Sequence, residues 1–458
     1  MWLGAKDYSN GIFHEPRFYG QDYNTMLESL FSVPFLLLGF KVQLVLPLIT
    51  SILTLFPFII ISFFTFVKKS SFAALFMLCI PLVLPIEYDL ITCLSRGFVS
   101  GLFISSFCCL PLFFPESRFS FLITGFAIIT SYSINMNSVL YSIPVIILVL
   151  IKCYNTKYFL KYFVLGVFFG LLLHLLASQF YLNHPNYVLH AIHSTFSIKN
   201  FIYGVSHIDK YFSDVTPIFA RKGWITFVFL TIVGCLLIKQ KKYREAIVLF
   251  LSILLLVIPF ISSKVHDGND SVFFPHSRMF LAVPLLLFTF SSFLTIKSKL
   301  SLFAIYGLTF IVLFYKIDNL NLTISKILKQ SNVVAVAETE FLINECNKIS
   351  SLAKKYDVDL IIINNYWMYD FINYGCPACT ERFPNTLRPD YERRTWRLIE
   401  ERKIIHKNVF IIDFSRKLNL EFDFITAIAS MQGFYVLKDN KITTTKLLKK
   451  LNIKLRKF

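Results

Sequence analysis

Charge is what this chain has least of. Only 16% of its 458 residues are charged, against about 25% in soluble domains. Acid is scarcer than base, with 28 Asp and Glu against 46 Lys and Arg. Hydrophobic residues make up 55%, phenylalanine alone occurs 51 times, and mean hydropathy is +0.60. This composition excludes a soluble globular chain and implies a polytopic membrane protein. Nucleotide-binding signatures are missing as well. There is no GxGxxG, and no GxxxxGK followed by Ser or Thr. The net charge of +18 is not a nucleic-acid signature, because Lys and Arg fall mainly in short loops and in the C-terminal region. That is the pattern of membrane orientation and contact with anionic headgroups.

Cysteines are few and fall into two groups. Cys79, Cys93, Cys108, Cys109, Cys153 and Cys235 lie in or beside apolar runs, where a thiol packs as a small hydrophobe. Cys346, Cys376 and Cys379 lie in the hydrophilic C-terminal region. The CPAC pair there reads as a redox motif, half a zinc site or a tight disulfide. No second CxxC completes a zinc site, and in an external region a structural disulfide is the leading expectation.

What the chain does have is a series of apolar runs. Ten candidates cover residues 44–67, 72–86, 97–114, 119–132, 139–151, 162–181, 224–237, 246–261, 279–295 and 300–315. Several are short of the 17–25 residues of an ordinary span. Basic residues cluster in alternate loops: Lys68 and Lys69; Lys152, Lys157 and Lys161; Lys239–Arg244; and Lys297 with Lys299. The positive-inside rule makes those loops cytoplasmic. The N-terminal segment, the loops 87–96, 133–138, 182–223 and 262–278, and everything after Lys316 are then external. Met1-Trp2-Leu3-Gly4 has no basic stretch leading into an apolar one. The topology therefore expects a first transmembrane helix upstream of Trp2. After residue 332 the composition changes. VDLIIINN (358–365), NVFIIDFS (408–415) and FYVLK (434–438) read as buried strands. Residues 390–407 read as a charged helix and 443–451 as a terminal amphipathic one. The expectation is a small α/β domain with a largely parallel sheet. The fold class is thus an α-helical polytopic membrane protein of about ten transmembrane helices with a small external C-terminal α/β domain. Its parts are a first external segment (1–43), the bundle (44–316) and the soluble domain (317–458).

The residues that carry chemistry gather on the external face. FHEPRFYGQDYNTMLE (13–28) holds His14, Glu15, Arg17, Asp22 and Glu28 among three aromatics. Asp22, or Asp7 in the preceding GAKDYSNG, suits a general base for an acceptor hydroxyl or amine. The plain alternative is a solvated loop whose acids pair with Arg17. Tyr8, Tyr19 and Tyr23 suit stacking on sugar faces, though tyrosines are also routine interfacial anchors. KVHDGNDSVFFPHSRMF (264–280) brings His266, Asp267, Asp270 and His276 up to Arg278 at the start of a run. Arg278 suits a phosphate held by paired N–H donors, or simple snorkelling to headgroups. His184, His190, His193 and His207 share a long loop without a suitably spaced carboxylate, so no metal site is expected. Glu87, Tyr88 and Asp89 sit at another external turn.

The run PRFYGQDYNTMLESLFSVPFLLLG resembles the first external loop of GT-C polyprenyl-phosphate-sugar glycosyltransferases. The likeness is to members related to the protein mannosyltransferases and the lipid A aminoarabinose transferase. Tyr19-Gly20-Gln21-Asp22-Tyr23 and Leu27-Glu28 carry it, and SRMFLAVPLLL (277–287) is similar to the Arg-plus-Pro helix start of the same group. The architectural likeness covers about two thirds of the chain, whereas the C-terminal domain matches no specific relative. The resemblance implies a membrane glycosyltransferase of the inverting type. It would move a sugar from a polyprenyl-phosphate donor to a glycolipid, polysaccharide or protein acceptor outside the inner (cytoplasmic) membrane. It implies an acidic catalytic residue in the first external loop, from Asp7, Asp22 and Glu28. Arg278, His276 and Arg96 would hold the donor phosphate, and Tyr19, Gln21, Tyr23 and Glu15 the substrate. It implies no organic cofactor and leaves a divalent metal open. The expected partners are the lipid-linked sugar, the bilayer and the acceptor, without nucleic acid.

Two other classes compete. A lipid-linked-sugar flippase or other transporter requires ionisable residues inside the spans and repeat-like halves, whereas these spans are nearly free of charge and show no internal repeat. A noncatalytic envelope-assembly protein requires the acids of the first loop to scatter away from Arg278.

Overall fold

Each of the ten apolar runs folds as helix. The computed structural model describes residues 1–458 except 69–70, 191–192, 270, 296–298, 331–337, 367, 415–424, 428–432 and 457–458. Lys69, Asp270 and Lys297 therefore lie outside the described residues. The chain opens with a short helix, α1 (Trp2–Ser9), and an irregular loop, then α2 (Leu27–Leu37) and the long α3 (Val42–Lys68). The next run breaks into α4 (Ser71–Leu82) and α5 (Ile86–Thr92), bent by 87°. The break falls at Pro85, whose extended backbone (φ −65°, ψ 159°) caps α5 and cannot continue a helix. A turn leads into α6 (Phe98–Ser106), prolonged to Phe113.

The remaining runs form the helices Arg118–Ile134, Val139–Cys153, Phe159–Asn183, Gly223–Lys239, Tyr243–Val257, Ala282–Ser291 and Lys299–Gln330. Among the described residues, five helices are long and apolar enough to cross a membrane, or six if the bent pair is one span. The others are too short for a straight crossing. Seventeen residues of Gly223–Lys239 rise only about 26 Å, against a hydrocarbon core of about 30 Å. The chain is a helical membrane protein, and ten full crossings are more than these lengths show.

Glycine sets one helix contact. A Cβ on Gly125 would lie 2.1 Å from the Phe163 carbonyl oxygen, and one on Gly166 would lie 2.0 Å from that of Leu122. The helices Arg118–Ile134 and Phe159–Asn183 therefore meet backbone to backbone, as small residues permit between helices in lipid. One end of the bundle collects lysines. Lys152 pairs with Glu245 at 2.5 Å, Lys242 donates to the Phe293 carbonyl, and Lys68 lies 5.0 Å from the Phe114 ring centre. The C-terminal domain sits at the opposite end.

That domain is a five-stranded sheet of order β2-β1-β3-β5-β4. Its strands are β1 (Leu360–Asn365), β2 (Asn385–Leu387), β3 (Val409–Asp413), β4 (Ile425–Ala427) and β5 (Phe434–Leu437). β1 is parallel to β2 and β3, while β5 is antiparallel to β3 and β4. The sheet is mixed rather than largely parallel. Only six residues join β4 to β5, too few for the crossover a parallel return needs. Ile361, Ile363, Phe410 and Ile412 face the helix Thr339–Lys355, whereas Leu360, Ile362, Val409 and Ile411 face Leu398, Leu447 and Leu448. This is the period-two alternation of a sheet covered on both sides.

Two expectations for this domain are corrected. Helix occupies Thr395–Glu401 rather than 390–407. Before it, the Glu392 carboxylate accepts from the backbone N–H groups of Arg388 and Arg394, and such side-chain bonds compete with helix. The CPAC cysteines do not pair with each other: Cys376 is bonded to Cys346, and Cys379 is free. Packing of the helix Thr339–Lys355 brings Cys346 within 5.3 Å of Cys376, Cα to Cα.

Candidate functional site

The loop between α1 and α2 is held from three directions. Arg17 is buried, donates to the Ser133 carbonyl, and lies 3.4 Å from His174 Nδ1. Glu15, 2% exposed, accepts at 3.0 Å from the hydroxyl of Tyr181, which accepts in turn from the Arg17 N–H. Burial raises the Glu15 carboxyl to about 7, against the opposing pull of the Tyr181 hydroxyl and the Gly20 N–H. A half-ionised carboxylate at neutral pH is suited to proton transfer. The C-terminal domain makes the third contact. His14 stacks on Trp396 at 4.4 Å, Tyr19 on Tyr374 at 5.7 Å, and Trp2 meets Phe371 edge-on at 5.5 Å. Thr395 Oγ1 donates to the Asn186 carbonyl and accepts from the Val188 N–H, tying the same domain to the long loop.

The three acids expected to be catalytic occupy three different settings: only Glu28 reaches the turn that carries Arg96, and Asp7 and Asp22 scatter as the noncatalytic alternative requires. Asp22 is 56% exposed and 4.0 Å from Arg17. Asp7 lies 3.5 Å from His14 Nε2, toward the C-terminal domain. Glu28 is fully buried, and its Oε1 accepts the Gly97 N–H at 2.9 Å. Gly97 has φ +79°, and a Cβ there would meet Asn24 Oδ1 at 2.4 Å. Only glycine fits that turn without strain. Glu28 and Asn24 therefore fix the turn between α5 and α6, the turn that carries Arg96.

Arg96 and Arg278 share one aromatic ring. Their guanidinium carbons lie 4.9 and 5.7 Å from the centre of Phe274, and Arg96 also lies 5.3 Å from Phe273. Arg278 spends three donor contacts on its own loop, to the carbonyls of Phe274, Pro275 and Asp267 at 2.7–2.8 Å. Arg96 differs. Among the described residues it has aromatic faces but no carboxylate within salt-bridge distance and no side-chain hydrogen bond. Burial, then the charges of Arg278 and Arg393, push its guanidinium down to about 9. His276 is buried edge-on against Tyr211, ring centres 5.2 Å apart.

Near this pair in the chain lies a narrow apolar crevice, lined by Pro57, Tyr88, Thr92, Val99, Leu281 and Leu285 among others. Thr92 and Val99 flank Arg96 in the chain, and Leu281 follows Arg278 by three residues. The crevice is thus lined by the helices on either side of the turn that carries Arg96. Of the residues expected to bind substrate, Tyr23 accepts at its backbone carbonyl from the Asn135 side chain at 3.4 Å. Gln21 bridges to His190 and accepts from the Asn24 side chain. Tyr19 is 2% exposed, and its buried hydroxyl has no hydrogen-bond partner among the described residues.

The structure thus brings Arg96, Arg278 and the Glu28-bound turn together. Asp7, Glu15 and Tyr19 lie toward the C-terminal domain, and Asp22 points outward. Sequence reasoning did not single out Tyr181 or His174. Both are ordinary residues of an apolar helix until the fold lays that helix against Glu15 and Arg17. No group of three or more His, Cys, Asp or Glu among the described residues could hold a metal ion. Compared with protein-family models, with curated proteins and with solved structures, the chain matches none of them.

Proposed function

We propose that this protein is a membrane glycosyltransferase that moves a sugar from a polyprenyl-phosphate donor to an acceptor at the external face. The observation that carries the reading is Arg96, a half-buried cation with no partner anion among the described residues, in a turn between two apolar helices. A lipid phosphate matches both halves: its chain stays in the bilayer against the apolar helices and its headgroup supplies the missing charge. In a single displacement, a carboxylate of the first loop takes the acceptor proton and the acceptor oxygen or nitrogen bonds to the anomeric carbon. The bond from that carbon to the phosphate oxygen breaks, and the configuration inverts. The departing polyprenyl phosphate gains negative charge, which Arg96 and Arg278 stabilise as it develops.

Among the loop's acids, Glu15 has the proton affinity this role requires, while Asp22 has the access. We assign the base to Glu15 and the outer rim of the acceptor path to Asp22. The external side rests on the alternation of basic loops. Asn200 and Lys407, each replaced by cysteine, should label from outside, and Lys241 from the cytoplasm.

The test is turnover by the full chain in proteoliposomes, with labelled polyprenyl-phosphate mannose, glucose and aminoarabinose offered in turn. Release of polyprenyl phosphate that depends on Arg96 is the expected result. No turnover of any donor, with no binding of polyprenyl phosphate, overturns the reading.

A further inference from the structure

We infer that the helix Ile198–Ser206, in the long loop between two apolar runs, is an in-plane membrane anchor. Its exposed apolar face seats at the boundary between headgroups and acyl chains. This anchor is independent of the donor reading.

The residues IKNFIYGVS present three faces. Ile198, Phe201, Ile202 and Val205 follow the spacing i, i+3, i+4, i+7, which sets them on one stripe about 100° wide. All four are exposed. Asn200 and Gly204, to one side of that stripe, face the protein. A Cβ on Gly204 would meet the Phe260 ring at 2.4 Å, and Asn200 Nδ2 reaches the Ile261 carbonyl at 3.5 Å. Lys199 and Ser206 lie to the other side, both exposed. Residues 195–206 contain no acid. An apolar stripe beside a lysine-bearing face is the pattern of a helix that lies in an interface rather than crossing it.

What covers the stripe follows from where the fold puts it. Phe196 bridges to Ser262, and the Ser197 N–H donates to the Ile261 carbonyl at 2.9 Å. The start of the helix is thereby tied to the end of the span Tyr243–Ile261. Past its other end, the Gly223 N–H donates to Asp209 Oδ1 at 2.6 Å. That bond ties the chain to the start of the apolar helix Gly223–Lys239. The 19 residues from Tyr243 to Ile261 rise about 28 Å, close to the hydrocarbon thickness of about 30 Å. With Lys242 at one boundary, Ile261 and the helix beside it reach the other. Ile258 and Ile261 on that span, and Trp224 at the start of the next helix, are exposed as well. The stripe therefore continues the lipid-facing surface of the bundle, with a tryptophan at the depth where indole rings collect. Lipid, rather than a protein partner, is the occupant this continuity favours. The same loop holds the first segment, since the His190 N–H donates to the Gly20 carbonyl at 2.7 Å. Seating the helix in the bilayer thus fixes the height of that loop at the membrane surface.

The experiment uses the full chain in nanodiscs of phosphatidylcholine and phosphatidylglycerol, with tryptophan placed at Ile202 or at Lys199. The readout is the fluorescence added over wild type. It is quenched either by phospholipid brominated near the headgroup end of its acyl chains or by acrylamide from water. Brominated lipid should quench Ile202→Trp several-fold more than Lys199→Trp, and acrylamide should do the reverse. If Ile202→Trp does not give a monodisperse particle, Val205→Trp on the same stripe takes its place. Quenching of both positions by acrylamide alone would leave the helix in water and overturn the inference. Equal quenching of both by lipid would mean an immersed helix rather than an in-plane one, and would overturn it too. Protection of Ile202→Trp from both quenchers would assign the stripe to a protein contact and overturn it as well, with a doubled particle mass marking a second copy of this chain.

Discussion

The C-terminal domain and the end of the helix bundle that carries Arg96 treat charge in opposite ways. In the domain, Arg394 is 2% exposed and fully engaged. Its guanidinium contacts Glu392 through Nε at 2.8 Å and reaches Asn373 and the Thr386 carbonyl. That pairing holds the Glu392 carboxyl down at about 2 against burial, which alone would raise it. At the bundle end, half-buried Arg96 lies near the Phe273 and Phe274 rings with no carboxylate partner among the described residues, and burial raises Glu15 to about 7. The same side-chain chemistry is structural in one place and held in readiness in the other. A satisfied ion pair specifies a fold, whereas an unsatisfied one has capacity left for a ligand.

The contrast can be tested most strongly at Glu15. Glu15→Gln keeps the shape and the bond from Tyr181 but cannot take a proton, so sugar transfer should fall about 100- to 10,000-fold. In wild type, activity should rise with pH through about 7 as Glu15 ionises. Stability should move the other way. A folded carboxyl raised from 4.5 to about 7 favours the folded state below pH 4.5, and that advantage is lost as pH rises through 7. Its size is on the order of 3 kcal/mol. Glu15→Gln should therefore melt higher than wild type at pH 8 and alike at pH 4. A variant that is both inactive and less stable at pH 8 would make Glu15 structural, like Glu392.

Arg394→Ala should show the domain's side of the contrast. Leaving Glu392 buried and unpaired costs about 3–5 kcal/mol, visible as early thermal proteolysis of the C-terminal domain. Arg96→Ala should change melting by no more than about 1 kcal/mol while abolishing donor binding. Equal destabilisation by the two substitutions would erase the distinction between them. Removing the Cys346–Cys376 bond by double substitution to Ala should cost about 3 kcal/mol, for a closed loop of some thirty residues. That loss should fall on the C-terminal domain alone and leave the helices of the bundle intact. The smallest effect belongs to Asp22→Asn. An acid that is 56% exposed and 4.0 Å from its partner should change stability by less than about 0.5 kcal/mol. If Asp22→Asn instead stops transfer, the base is Asp22 and Glu15 is a loop anchor.

The sequence by itself determined the class and the positions of the elements. Scarce charge and long apolar runs admit only a helical membrane chain, and each of the ten runs is helical. Short uninterrupted apolar runs placed β1, β3 and β5 within a residue or two, because a strand buried on both faces is apolar at every position. The first loop and Arg96 stood out because polar groups are conspicuous in so apolar a chain. Tertiary structure decided everything that depends on partners distant in sequence. Whether Cys376 bonded Cys379 or Cys346 depended on where the helix Thr339–Lys355 packed. Whether Arg394 or Arg393 became the buried partner of Glu392 depended on Asn373 and Tyr374, some twenty residues away. Glu15 had the same side chain as Glu28 until Tyr181, 166 positions later, closed over it. Proton affinity and pairing are properties of surroundings, and the surroundings of these residues were assembled by folding.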